Sequence, residues 1–197
     1  MFMKDFTRSV ANFTPASQIA APVLSGLLAG TRVETAAGWT GVEDLRIGDL
    51  VQSLDGGLVR ILALDRRTLH PAADQPVLVV PGGTHGACSD LLLLPGQHLA
   101  RETAGRVGGT DDLYALFPAL ALDGRQGVIR RKLTRRLTVI TPLFATEEVI
   151  WANTGVLLHC PSIAAGAGRR PVGDFFPRLN LQAARTWLTS AEAVAAA

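Results

Sequence analysis

At 197 residues, with 48% hydrophobic and only 18% charged side chains, the chain is long enough to bury a core and too apolar to be intrinsically disordered. The 20 Gly and 11 Pro favour a turn-rich β protein over a helical bundle, and a net charge of +2 without an aromatic-laced basic stripe argues against a nucleic-acid reader. Two cysteines, Cys88 and Cys160, are too few for a disulfide framework, so the sequence implies reduced thiols and demands no oxidising compartment.

Residues 1–24 read as a leader to the domain. Lys4 and Arg8 precede an apolar run from Ile19 to Ala29, but Pro22 and Gly26 interrupt it and it is too short to span a bilayer. Asp5, Asn12 and Gln18 make a poor flank for a secretory signal, so the expectation is a cytoplasmic protein with no integral membrane segment, export remaining open.

Strand signals begin at Thr31 to Thr35, and after the Ala36-Ala37-Gly38 turn a second run continues from Trp39 to Val42, which predicts a hairpin. Asp44 to Gly48 reads as a tight turn that aims Asp49 inward or at a backbone amide. Leu50 to Ser53 and Leu58 to Leu64 flank Asp55-Gly56-Gly57, and Asp-Gly is a strong hairpin signal because both turn positions take positive φ. Val77 to Val80 and Leu91 to Leu94 are continuous apolar runs of strand length and are expected in the core. Tyr114 to Leu122 suits a short helix or an extended loop, ending at Asp123-Gly124. The cluster Arg130, Arg131, Lys132, Arg135 and Arg136 contains no aromatic and reads as a solvated strand pair or loop.

Leu137 to Ile140, Val149 to Ala152 and Val156 to Leu158 restore strand character, while Asp111-Asp112 and Glu147-Glu148 read as solvated charge. A Gly- and Ala-rich linker follows Pro161, and Leu181, Ala184, Trp187 and Leu188 at helical spacing predict a terminal amphipathic helix within 180–197. Trp39, Trp151 and Trp187 sit in apolar settings and read as packing anchors. The implied organisation is a leader over 1–24, a domain over 25–162, and a linker and helix over 163–197.

Ser25 to Asp49, containing Gly30-Thr31-Arg-Val-Glu-Thr and Val42-Glu-Asp-Leu-Arg-Ile-Gly-Asp49, resembles the opening of a Hedgehog/intein (Hint) domain, as in stand-alone bacterial Hint proteins. Leu91 to Arg101 resembles the family's second block. Glu147 to Cys160, with Ala152-Asn153-Thr154-Gly155 and His159-Cys160, resembles its closing blocks. The resemblance spans about Ser25 to Ser162. It implies a mostly β, compact Hint-like fold with both ends of the domain on one side, followed here by the C-terminal helix.

Family chemistry begins when a Cys or Ser attacks the preceding carbonyl, which needs a nucleophile, a proton donor for the leaving nitrogen, and oxyanion donors. Counted from Gly30-Thr31, Gly26 stands at the nucleophile position, and Ser25 lies one residue earlier. By the resemblance, His98 matches the histidine that contacts the scissile amide, and His159 matches the penultimate histidine. Pro95 replaces a Thr or Ser, Thr141 an aspartate, and Glu148 the closing-block histidine. Cys160 replaces the terminal asparagine, so C-terminal cleavage through a succinimide is chemically excluded there.

The fold markers thus outlast the chemistry, and the expectation is a Hint-domain protein degenerate in autoprocessing that acts as a structural or interaction module for an unidentified protein partner. No cofactor or resident metal is expected. One alternative is self-processing, with an N-terminal acyl shift or cleavage that uses Ser25 and His98, assisted by His159 near Cys160. Another is a thiol or metal site built from Cys160, His98 and Cys88, since His85-Gly-Ala-Cys88 has local metal-ligand spacing. Against these stand plainer roles: Ser25 as a loop hydroxyl, Cys160 as a small buried hydrophobe, and His85 and Cys88 as exposed turn residues.

Overall fold

The computed structural model describes residues 24–71, 76–103, 113–166 and 176–195. The expected leader up to Val23 and the Asp111-Asp112 pair lie outside the described residues. Among the described residues, fourteen strands run in chain order: β1 (Leu27–Leu28), β2 (Arg32–Thr35), β3 (Gly38–Gly41), β4 (Leu50–Gln52), β5 (Leu58–Arg60), β6 (Ala63–Leu69), β7 (Pro76–Val80), β8 (Leu91–Leu93), β9 (His98–Glu102), β10 (Tyr114–Pro118), β11 (Ile129–Lys132), β12 (Leu137–Leu143), β13 (Glu148–Ala152) and β14 (Val156–Cys160). A one-turn helix α1 (Ile163–Gly166) and a long helix α2 (Leu181–Ala195) follow. The fold is mostly β, as the composition implies. Among the described residues no helix is long and apolar enough to cross a membrane.

The strands form two antiparallel sheets, one in the order β11-β7-β8-β1-β12-β6 and the other β10-β9-β14-β13-β2-β4-β5, with β3 paired to β2. The apolar runs forecast as core are β7 and β8, which pair with each other, and Leu78, Val80, Leu91 and Leu93 are all buried. The run from Leu58 to Leu64 is not one strand. It breaks at Ile61 and Leu62, whose amides donate to Asp49 O and Leu143 O, so β5 stays in one sheet while β6 crosses into the other. Tyr114 to Leu122 likewise divides into β10 and a 3₁₀ turn at Ala119–Leu122, because Pro118 closes the strand.

Local polar contacts explain why the opening segment turns where it does. Glu43 accepts from Gly30 N–H at 3.0 Å, Asp49 Oδ2 accepts from Arg46 N–H at 2.8 Å, and Arg66 reaches the carbonyls of Glu43 and Leu45. At the β13–β14 hairpin, Asn153 and Thr154 take φ of 41° and 79°, which absorbs the extra residue in Ala-Asn-Thr-Gly. Asn153 then ties that hairpin to β2 through Arg32 N–H at 2.9 Å and to the β7–β8 loop through Ser89 Oγ at 3.1 Å.

The C-terminal helix belongs to the main core. Ala184 and Leu188 are fully buried in it, Trp187 meets Phe117 edge to face at 5.8 Å, and Asn180 caps the helix by accepting from Ala183 N–H. Trp151 packs with the smaller cluster around Leu116, Val149 and Phe176. Phe144 is among the largest fully buried side chains. Phe144→Ala is expected to cost about 3–5 kcal/mol of unfolding free energy by equilibrium denaturation; a cost below about 1 kcal/mol would show that the core collapses into the space.

Candidate functional site

Strand β1 lies between β8 and β12, with Leu27 opposite both Leu93 and Ile140. This register sets Gly26 beside Thr141. The turn Leu94–Gln97 carries the chain from β8 in one sheet to β9 in the other, and β14 pairs with β9 through Leu157 and Leu158. The start of the domain, its middle and its end therefore converge. They enclose a cavity of about 420 Å³ lined by Ser25, Gly26, Gln97, His98, Thr141, His159, Cys160 and Arg178 among others.

All the residues singled out as Ser25, Gly26, His98, His159 and Cys160 thus meet in one place. Cys88 does not: it is exposed on the β7–β8 loop, and its amide donates to Asn153 O. Among the described residues no group of three or more His, Cys, Asp or Glu is placed to hold a metal ion, so the proposed thiol-and-histidine metal set is not assembled.

At the position expected for the nucleophile, Gly26 has φ of +124°. A Cβ there would lie 2.5 Å from Val139 Cγ1 and 2.8 Å from Thr141 Oγ1, so two side chains of β12 occupy the space a side chain would need. The Gly26 N–H donates to Gln97 Oε1 at 2.9 Å, and Ser25 O accepts from Arg67 Nη2 at 3.2 Å. One residue upstream, Leu24 O accepts from Gly96 N–H at 3.1 Å, while Ser25 itself is exposed at the cavity edge. A backbone N–H on a carbonyl polarises it and is suited to hold an oxyanion.

Gln97 is 2% exposed. Its Nε2 donates to His98 O at 3.0 Å and His159 O at 2.8 Å, so one carboxamide ties β1, β9 and β14 together. Beside it, the His98 and His159 rings meet edge to face with centroids 6.3 Å apart. Burial, then the Arg178 guanidinium and His159, hold the His98 imidazole down from 6.5 to about 4, against an opposing hydrogen bond to the Gly96 backbone. His98 is neutral at pH 7 and available as a base.

Cys160 is buried, and desolvation followed by the Glu148 carboxylate pushes its thiol well above the ordinary range. A thiol kept protonated in this way is a weak nucleophile, since the thiolate is the reactive form. Thr141 Oγ1 is buried without a hydrogen-bond partner among the described residues.

The Glu147-Glu148 pair is not solvated charge. Glu148 accepts from Ser53 Oγ at 2.6 Å and Thr146 Oγ1 at 3.0 Å and serves the sheet. Neighbours on a strand face opposite ways, so it is Glu147, not Glu148, that meets His159, with Oε2 3.0 Å from Nε2 and 2.5 Å from Arg178 Nη2. Gln97, Glu147 and Arg178 escaped the sequence reading. An amide next to His98 in an apolar run was a signal for Gln97; nothing in the sequence ties Arg178 to residues so far upstream.

A family model described as the Hint domain matches residues 25–158. No curated protein matches the chain at a significant level. Among solved structures, it is similar to the bacterial intein-like domain from Clostridium thermocellum, with 14% identity, 69% of this chain and 99% of that one covered, and a TM-score of 0.47. It is also similar to a splice-inactive, glutathione-linked variant of the AceL NrdHF class 3 split intein (14%, 71% and 99%, TM-score 0.47) and to the MchDnaB-1 intein (17%, 66% and 98%, TM-score 0.39).

Gly57 also has positive φ, at 63°, but a Cβ there meets nothing within 4 Å. Gly26→Ala is therefore expected to destabilise the protein by about 1–3 kcal/mol more than Gly57→Ala in chemical denaturation, and equal costs would show that β12 yields. Because the folded chain refuses a proton that unfolded His98 accepts below 6.5, its contribution to stability is full above pH 6.5 and is lost as pH falls toward about 4. In melting curves between pH 6.5 and 4, His98→Gln should lose stability less steeply than the parent.

Proposed function

The chain belongs to the Hint domain family, and on that premise we propose that it does not splice and that its remaining chemistry is one self-processing step, an acyl shift at the Leu24–Ser25 bond. The observation that carries this reading is the Gly96 N–H on Leu24 O, because that carbonyl is the one Ser25 would attack. Ser25 Oγ adds to the Leu24 carbonyl carbon while neutral His98 takes the hydroxyl proton. The oxyanion draws on Gly96 N–H. His98 then returns the proton to the Ser25 nitrogen as the carbon–nitrogen bond breaks, leaving an ester on Ser25 and a free α-amine. Water or an added nucleophile attacks that ester and releases residues 1–24. Cys160 takes no part, being buried and protonated, and with no terminal Asn amide there is no second cleavage to complete splicing.

A second reading, a non-catalytic structural or interaction module, is favoured by the crowding at Gly26 and by the Gln97 bond that holds the Gly26 amide. Intact mass of the full chain, tagged at both ends, separates the two. Under the acyl-shift reading hydroxylamine produces a break between Leu24 and Ser25, which Ser25→Ala abolishes and His98→Ala slows by about 10²–10⁴-fold. A stable full-length mass in every condition would leave the module as the function.

A further inference from the structure

The segment Phe176–Leu179 lies beyond the family-matched residues 25–158, yet it enters the site. Leu116 N–H donates to Pro177 O, and Leu179 N–H donates to Leu116 O, both at 2.8 Å, with a parallel bridge between Leu116 and Arg178 that lays the segment along β10. Phe176 is buried against Leu116, Val149 and Leu157, which anchors the approach. Docked in this way, the segment converges on Glu147: Phe176 N–H reaches Oε1 at 3.3 Å, and Arg178 Nη2 reaches Oε2 at 2.5 Å.

His159 Nε2 approaches the same Oε2 at 3.0 Å and lies 3.2 Å from Arg178 Nη2. A carboxylate only accepts and a guanidinium only donates. The arrangement is consistent when His159 carries a proton on Nε2, so that two donors converge on one oxygen. Glu147 and His159 are 8% and 9% exposed, so this pairing is poorly screened by water. Arg178 is charged at any working pH. Among the described residues, the charged and titratable groups around His98 include His159 and Arg178, with Glu147 bound to both and protonated Cys160 on the cavity wall.

We propose that Arg178 is a positioning residue of the site: brought in by a segment outside the family-matched region, it locks Glu147 and His159 beside His98 and makes the acyl shift depend on that segment being docked. The proposal rests on His98 acting as the base at Leu24–Ser25. Arg178 touches no reacting atom. Its permanent positive charge opposes a second cation on His98, so the imidazole stays in the form that accepts the Ser25 proton. Without the guanidinium, the Glu147 carboxylate would lose the Arg178 cation, and its negative charge would favour a proton in the cavity.

Histidine ring NMR titration of the full chain tests this apart from any cleavage. In the parent, His98 is expected to titrate near 4. In Arg178→Gln its midpoint is expected to rise by about one unit, the size of a single nearby charge, while Arg178→Lys stays close to the parent because the cation is kept. Glu147→Gln, which removes the anion and keeps the guanidinium, should move the midpoint the other way. Where cleavage at Leu24–Ser25 occurs, the acid limb of its pH–rate profile should follow these shifts. An unchanged His98 midpoint in Arg178→Gln, or a Lys variant that titrates like the Gln variant, would overturn the proposal. Expected titration shifts in a chain that never cleaves would retain the positioning of His98 by Arg178 and reject the acyl shift instead.

Discussion

The carboxamide of Gln97 is the interaction on which the arrangement of the site depends. Three backbone groups from three parts of the chain, Gly26 N–H, His98 O and His159 O, end at this one side chain. The Gly26 N–H bond is buried, and losing its acceptor would cost about 1–3 kcal/mol. Because Gln97 sits where the chain passes from one sheet to the other, the same residue that joins the sheets also brings the first strand of the domain against the last. The cavity is a consequence of that meeting rather than an independent feature.

Around this clamp the site is built to exclude charge from its reactive groups while concentrating it beside them. His98 is held neutral and Cys160 is held protonated, both chiefly by burial, whereas donors from His159, Phe176 and Arg178 gather on the Glu147 carboxylate. A neutral imidazole near a carbonyl already bonded to a backbone N–H suits proton transfer during acyl chemistry. A buried thiol facing a carboxylate does not suit nucleophilic attack. At Gly26 the side chains of β12 leave no room for a side chain, and the adjacent serine is the hydroxyl at the cavity edge.

Much of the fold was legible in advance where the signal is local. The Ala36-Ala37-Gly38 turn, the apolar runs that become β7 and β8, and the helix with Ala184 and Leu188 on its buried face follow from turn chemistry and periodicity, and Asp55-Gly56 does lie in the β4–β5 turn, although it is Gly57 and not the Asp-Gly pair that takes positive φ. Where two sheets exchange a chain, local signal fails. Leu58 to Leu64 has uniform strand character, but its residues serve different sheets because Ile61 and Leu62 bond to Asp49 and Leu143. Glu147 and Glu148 look like a solvated pair, since adjacent charges usually are, yet each is turned by the strand pleat toward a different set of buried donors.

The sequence by itself determined the family, the mostly β character, the missing side chain at Gly26 and the absent asparagine at Cys160, since these depend on residue identity and on neighbours within a few positions. Only the tertiary structure decided that the Gly26 position has no space for a side chain, that Gln97 ties the strands of the site together, that Cys160 is buried, and that Arg178 lines the same cavity. The physical reason is separation along the chain: Gly26 meets Val139 and Thr141, and Glu147 meets Arg178, through sheet pairing and burial that no local pattern encodes.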